Sequence, residues 1–124
     1  DKVVIRKNGD LLICAGKLAE FYSYYGGKVY NYGKPYHTVY ELCLKHLKNI
    51  DSDINKKDIL IIGDSLETDI LGANSFGLDS LLIAEGIHSG DLFDSNKRLS
   101  LNNIENLSAK FNAYPSFVMN KFSF

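Results

Sequence analysis

The feature that most constrains this chain is the run Ile59-Leu60-Ile61-Ile62, which stops abruptly at Gly63-Asp64-Ser65. An unbroken apolar run of strand length marks a parallel strand covered on both faces, because a one-sided strand alternates polar and apolar residues. Residues 67–76 then carry a helical pattern that Gly77 closes, and a second apolar run, residues 80–84, follows at once. Strand, loop, helix and strand in so short a space form a βαβ unit, and such units build parallel sheets. The chain is therefore expected to be α/β. Functional groups in these sheets collect at the carboxyl ends of the strands, and Asp64 stands at one.

The flanking segments are expected to be shorter elements. Residues 3–5 and 11–13 surround Lys7-Asn8-Gly9-Asp10, a hairpin signal with an Asn-Gly turn. Residues 15–25 carry Leu18, Phe21, Tyr22 and Tyr25 at helical spacing, and Gly26-Gly27 end the segment. A short strand is expected at Val29-Tyr30. Gly33-Lys34-Pro35 opens a second helix with Pro35 in its first turn, where a missing N–H costs nothing. Val39, Cys43, Leu47 and Ile50 line one face of that helix, with Tyr36, Tyr40 and Leu44 beside them. Further on, residues 94–106 read as a polar loop and residues 107–111 as a helical turn or two. Residues 115–119 read as a last edge strand or a packing tail.

Composition excludes several functions. The chain has 124 residues, 45% of them apolar and 23% charged, with a net charge of −1. That is enough for one hydrophobic core. It gives no basic surface for nucleic acid or for an anionic membrane. No apolar run approaches the ~20 residues of a membrane-spanning helix, and no signal segment opens the chain. Cys14 and Cys43 lack CxxC spacing and read as buried free thiols of a reducing, cytoplasmic compartment. The chain begins at Asp1 and its single methionine is Met119, so it reads as a processed chain, a split gene product or part of a longer protein.

Two places carry chemistry. Asp64 follows the buried strand directly, and Asp69 lies in the first turn of the next helix. Two hard carboxylates near a helix N-terminus suit one Mg²⁺ whose other positions hold water and phosphate. The plainer account is a turn residue and a charge favoured by the helix macrodipole. An acidic pair at a strand end also resembles the receiver domains of signalling proteins. Lys34, in its Gly-Lys-Pro turn, presents an ammonium to a phosphate or simply to solvent. A P-loop is excluded, because Lys28 stands where its first glycine belongs and Pro35 replaces the Ser or Thr. An EF-hand at Asp51 is excluded by Lys56 and Ile62 at its sixth and twelfth positions.

Together these two places carry a resemblance. Gly33-Lys34-Pro35, a helix, an apolar strand, Gly63-Asp64-Ser65-Leu66-x-Thr68-Asp69-Ile70-x-Gly72-Ala73 and a further strand resemble the third and fourth motifs of the haloacid dehalogenase (HAD) superfamily. Their forms are similar to class IIA of that superfamily, phosphatases of sugar and nucleotide phosphates with a large α/β cap. Asp1 resembles the end of an Asn-Pro-Asp segment of that cap. The resemblance covers about residues 1–90 well and the remaining tail weakly.

The resemblance implies the C-terminal half of a Rossmann-like HAD core preceded by the end of an α/β cap. Residues 1–30 would be cap, residues 31–90 core, and residues 91–124 a tail packed on the core. Lys34 would stabilise the charge of the transferring phosphoryl group. Asp64 would bind Mg²⁺ directly, and Asp69 would bind it through water or orient the site. Ser65 and Thr68 would donate hydrogen bonds supporting the loop or the phosphate. In the family an aspartate attacks phosphorus, and a second, two residues on, acts as acid and base. No apolar strand followed by Asp-x-Asp stands near the N-terminus. Asp51-Ser52-Asp53 has the spelling but follows a helix and falls after the lysine. The expected function is thus the C-terminal part of a Mg²⁺-dependent phosphatase of a small phosphorylated metabolite, inactive alone. Its partner would be the missing N-terminal half or a further copy of the chain. The alternative is a non-catalytic remnant that binds Mg²⁺ or phosphate.

Overall fold

A computed structural model describes residues 3–5 and 10–123. The chain forms two compact units, Asp1–Asn31 and Tyr32–Phe124.

In the first unit, β1 (Val3–Ile5) pairs antiparallel with β2 (Leu11–Ile13), Val3 opposite Ile13. This is the expected hairpin, although its turn, residues 6–9, lies outside the described residues. Helix α1 (Ala15–Tyr24) follows, and Gly26 at φ 84° carries the chain out of it. No residue of α1 is buried, and Leu18, Phe21 and Tyr22 are exposed. The strand expected at Val29-Tyr30 does not form. Among the described residues none pairs with it, and an isolated extended segment has no ladder to satisfy its backbone.

The second unit opens with a turn. The Lys34–Pro35 peptide is cis, and the Gly33 carbonyl accepts the Tyr36 N–H at 3.0 Å. Pro35 therefore belongs to this turn, and α2 (His37–Ile50) starts two residues later than the proline suggested. Only Tyr40 of α2 is buried. Cys43 and Ile50, expected on the inward face, are exposed, and both cysteines are free. The reason is that Leu44 and Leu47 line an open groove against the sheet instead of a closed core.

The sheet has three parallel strands, β3 (Leu60–Gly63), β4 (Asp79–Ile83) and β5 (Phe117–Met119), in the order β3-β4-β5. Between β3 and β4 runs a π-helical turn, Leu66–Ile70, which continues as α3 (Leu71–Phe76). The βαβ unit is thus present as expected, with its crossover entered through a widened turn. Leu82 of β4, fully buried, joins Leu66, Ile70, Leu92, Ile104 and Leu107 in the larger core cluster. Tyr40, Ala73 and Leu78 form a smaller one.

The tail is part of this fold. After α4 (Ser89–Leu92) comes α5 (Leu101–Phe111), so the loop expected over residues 94–106 ends at Ser100. Ser100 caps α5 by accepting the Asn103 N–H at 3.3 Å. The polar stretch around Asn102 and Asn103 hid an amphipathic helix whose buried residues include Ile104 and Leu107. Two reciprocal pairs seat β5. The Asn74 side chain accepts the Tyr114 N–H at 2.6 Å and donates to the Tyr114 carbonyl at 2.9 Å. Ser80 and Ser116 exchange hydroxyl and amide at 3.2 and 3.4 Å.

The strand expected to be buried on both faces is not. Leu60 and Ile62 are 43% and 45% exposed, and among the described residues nothing pairs with the outer edge of β3. An apolar edge with free backbone groups invites a further strand. Covering these two side chains would contribute on the order of 1 kcal/mol each. The purified chain is expected to self-associate as its concentration rises, and Ile62→Lys to suppress this while retaining the circular dichroism spectrum. Light scattering after size exclusion checks it; a strictly monomeric parent with one cooperative, high-temperature transition would contradict it.

Candidate functional site at the carboxyl end of the sheet

The loop after β3 is organised by one buried carboxylate. Asp69 is 4% exposed. Its Oδ2 accepts the Ser65 N–H at 3.1 Å, and its Oδ1 accepts from Lys34 Nζ at 2.5 Å. The Ser65 carbonyl accepts the N–H groups of Asp69 and Ile70 at 3.0 and 3.1 Å, and the Ser65 hydroxyl accepts that of Thr68 at 3.3 Å. Ser65 thereby satisfies donors that the start of the helical turn would leave open. The Ser65 hydroxyl thus supports the loop by accepting from the Thr68 backbone, and as a hydroxyl it keeps its own proton to donate. Gly63 is required here, since a Cβ would fall on the Asp69 carboxylate.

Lys34 reaches this carboxylate from the turn before α2, and its side chain remains 52% exposed. An ammonium held at one end and open to solvent at the other can still meet an anion. The Tyr40 hydroxyl, close enough to feel the Asp69 charge, is buried and without a hydrogen-bond partner among the described residues. Burial, with the Asp69 charge adding to it, raises the Tyr40 pKa above its ordinary 10.0, so the phenol stays neutral. The apolar groove between α2 and β3 ends at Lys34 and Asp69.

Asp64 is held from the other side, by the loop after β4. Its Oδ2 accepts the Ile87 N–H at 3.1 Å. A Cβ on Gly86 would collide with the Asp64 side chain, so the absence of one is what lets this loop close on the carboxylate. Next in line, His88 is buried, and its Nε2 accepts the Leu66 N–H at 3.1 Å. A backbone amide only donates, so Nε2 carries the lone pair and the ring is neutral. Burial pushes the His88 pKa below its ordinary 6.5; the charges of Asp91, Asp64 and Glu67 oppose this and Lys110 adds to it.

Lys34, Asp69 and Ser65 thus form one bonded group, with Asp64 beside it on separate supports. The sequence reading missed Gly86, Ile87 and His88. Their signal was positional, since they follow the apolar run of β4 as Asp64 follows that of β3. As a cation site the donors are hard oxygens, but both Asp69 oxygens already have partners. Among the described residues no group of three or more His, Cys, Asp or Glu side chains surrounds a common point. The residues present suit a Mg²⁺ bound through Asp64 that keeps most of its shell from water or from other groups.

Comparison with known proteins agrees with this architecture. A family model described as HAD-hydrolase-like matches residues 31–107. A Schizosaccharomyces pombe protein, described as a cardiolipin synthase (CMP-forming) and mitochondrial hydrolase fusion, is 38% identical over 64 residues, 48% of this chain and 11% of that protein. Among solved structures, a haloacid dehalogenase-like hydrolase from Brucella suis is 34% identical, with a TM-score of 0.66 over 96% of this chain and 40% of its own. A possible sugar phosphatase of the HAD superfamily from Cytophaga hutchinsonii is 25% identical, with a TM-score of 0.73 over 100% and 40%. The p-nitrophenyl phosphatase of Archaeoglobus fulgidus, 16% identical at a TM-score of 0.69, shares the fold. The chain therefore spans about two fifths of the solved relatives it matches.

Two outcomes are expected of the isolated chain. Asp69→Ala leaves the Ser65 amide without its acceptor and should cost about 2–3 kcal/mol in urea unfolding. Lys34→Met leaves the buried Asp69 carboxylate with the Ser65 amide as its remaining partner and should also destabilise, by about 1–3 kcal/mol. An unchanged urea midpoint in Asp69→Ala would mean that Asp69 does not organise the loop.

The second outcome concerns pH. His88 is neutral in the fold and its pKa is lowered, so the unfolded chain binds the extra proton first. Its contribution to stability is complete above about pH 6.5, the ordinary histidine value, and declines as pH falls through that value. Urea midpoints between about pH 8 and pH 5 should fall more steeply for the parent than for His88→Gln. Parallel curves would remove His88 from the pH dependence.

Proposed function

Because the chain belongs to the HAD-hydrolase-like family, we propose that it is the C-terminal part of a Mg²⁺-dependent phosphatase, of the class with an α/β cap, that hydrolyses a small phosphomonoester. The observation that carries this is the Lys34–Asp69 pair at the carboxyl end of β3, with Asp64 on the same loop. A lysine anchored by a buried carboxylate stands ready for an anion, while the adjacent carboxylate is available to a hard cation. The possible sugar phosphatase of Cytophaga hutchinsonii supports the choice of substrate class.

When bound, Mg²⁺ supplies positive charge that screens the phosphoryl oxygens from an attacking carboxylate. Asp64 is the residue of this chain that would hold it. Lys34 would bind a phosphoryl oxygen and stabilise the charge that builds there in the transition state. Asp69 keeps the lysine in place, and Ser65 and Thr68 keep Asp69 in place. The attacking aspartate and its acid–base neighbour would come from another part of the longer protein or from a partner chain, docked along the open edge of β3. On this proposal the boundaries are cap to about residue 30, half of the core to about residue 90, and a tail that completes it. The free thiols of Cys14 and Cys43 support a reducing, cytoplasmic setting. Among the described residues no helix is long and apolar enough to cross a membrane.

The isolated chain is expected to show no Mg²⁺-dependent release of nitrophenol from p-nitrophenyl phosphate. Co-expression with an upstream segment bearing an apolar strand and Asp-x-Asp should restore turnover. In that complex Lys34→Ala should lower kcat by roughly 10²- to 10³-fold. Metal-dependent hydrolysis by the chain alone that survives Asp64→Asn would overturn these roles. A complex that binds Mg²⁺ yet never turns over would favour a non-catalytic remnant.

A further inference from the structure

We propose that His88 is a positioning residue of the Asp64 site, a neutral ring that locks the loop after β4 onto the loop after β3 and so fixes the Asp64 carboxylate. The inference rests on Asp64 being the cation-binding residue of the proposed phosphatase. Three observations in one short segment carry it. Gly86 lacks the Cβ that would strike Asp64, the Ile87 N–H bonds Asp64 Oδ2 at 3.1 Å, and His88 Nε2 accepts the Leu66 N–H at 3.1 Å. The two hydrogen bonds run in opposite directions between the same two loops. One alone would leave a hinge; together they fix both position and rotation.

The His88 ring is itself held. It is buried beside Phe111 of α5, with ring centres 5.4 Å apart, and its own carbonyl accepts the Asp91 and Leu92 N–H groups at 2.9 and 3.1 Å. A side chain anchored in the helix α4–α5 region thus reaches across to the first amide of the π-helical turn. Leu66 is wholly buried, so without His88 that amide would lose its partner in a place water reaches poorly. The Asp64 carboxylate keeps Oδ2 occupied by Ile87, and no described residue bonds its Oδ1. A carboxylate fixed through one oxygen presents the other without first losing rotamer freedom, which is how an outer partner tunes a metal ligand.

The test is NMR on the full chain, with Mg²⁺ alone as the probe. In the parent, the ring nitrogens of His88 should show the Nδ1–H tautomer, a signature that packing alone does not dictate. His88→Gln, whose amide oxygen can stand near Nε2, should keep the Leu66 and Ile87 amide shifts and bind Mg²⁺ within about twofold of the parent. His88→Leu should shift both amides and weaken Mg²⁺ by about tenfold. An Nε2–H tautomer in the parent, or unchanged Ile87 and Leu66 amides in His88→Leu, would overturn the proposal. If His88→Leu does not fold, the parent tautomer and the glutamine variant decide it. If the parent itself gives no Mg²⁺ response at Asp64, the cation-binding reading fails, while the amide shifts still decide whether His88 holds the loop.

Discussion

Much of the structure at the carboxyl end of β3 depends on what the Asp69 carboxylate touches. It is almost wholly buried, so its charge must be compensated where it stands. The Ser65 amide and the Lys34 ammonium provide that compensation, from four and thirty-five residues away in sequence. The first bond shapes the loop that follows β3. The second ties the turn before α2 to that loop, joining two segments that the sheet itself does not connect. Gly63 sits against the carboxylate because any larger residue would occupy its place.

Asp64 is supported by a different logic. One of its oxygens receives the Ile87 amide and the carboxylate is only partly buried. The two acidic residues of the motif are therefore unequal: one is satisfied within the protein and structural in its bonding, the other is held but still available. On the proposed function, Asp69 is the group that orients and Asp64 the group that binds, and the lysine attached to Asp69 is the fixed point for an anion. The loops after β3 and β4 meet at this point because their strands are parallel neighbours, Gly63 lying opposite Leu82.

The sheet is finished on one side and open on the other. Toward β5 it is pinned by the Asn74–Tyr114 and Ser80–Ser116 pairs, in which side chains replace the backbone ladder where the strands begin. Toward β3 no strand pairs with the backbone edge among the described residues, and Leu60 and Ile62 are exposed. The groove between α2 and β3 is lined by Leu60 and Ile62 and also by Lys34 and Asp69, so the apolar edge and the ion pair border the same space.

The sequence by itself determined the βαβ unit, because an apolar run, a glycine-aspartate stop and a closing glycine leave few alternatives for residues 59–84. It also singled out Lys34, Asp64 and Asp69, whose residue types and places at element ends carry chemical meaning. It misjudged residues 94–106, where asparagines masked the period of α5, and Val29-Tyr30, where propensity found no strand to pair with. Only the tertiary structure decided which carboxylate has both oxygens bonded and which has one, since that turns on a lysine thirty-five residues away and a loop twenty-three residues on. It alone brought His88 to Leu66, and it alone made Ile59-Leu60-Ile61-Ile62 an edge. Periodicity reports what a residue prefers locally; hydrogen bonds between distant segments, and the partner a strand lacks, are properties of the assembled chain.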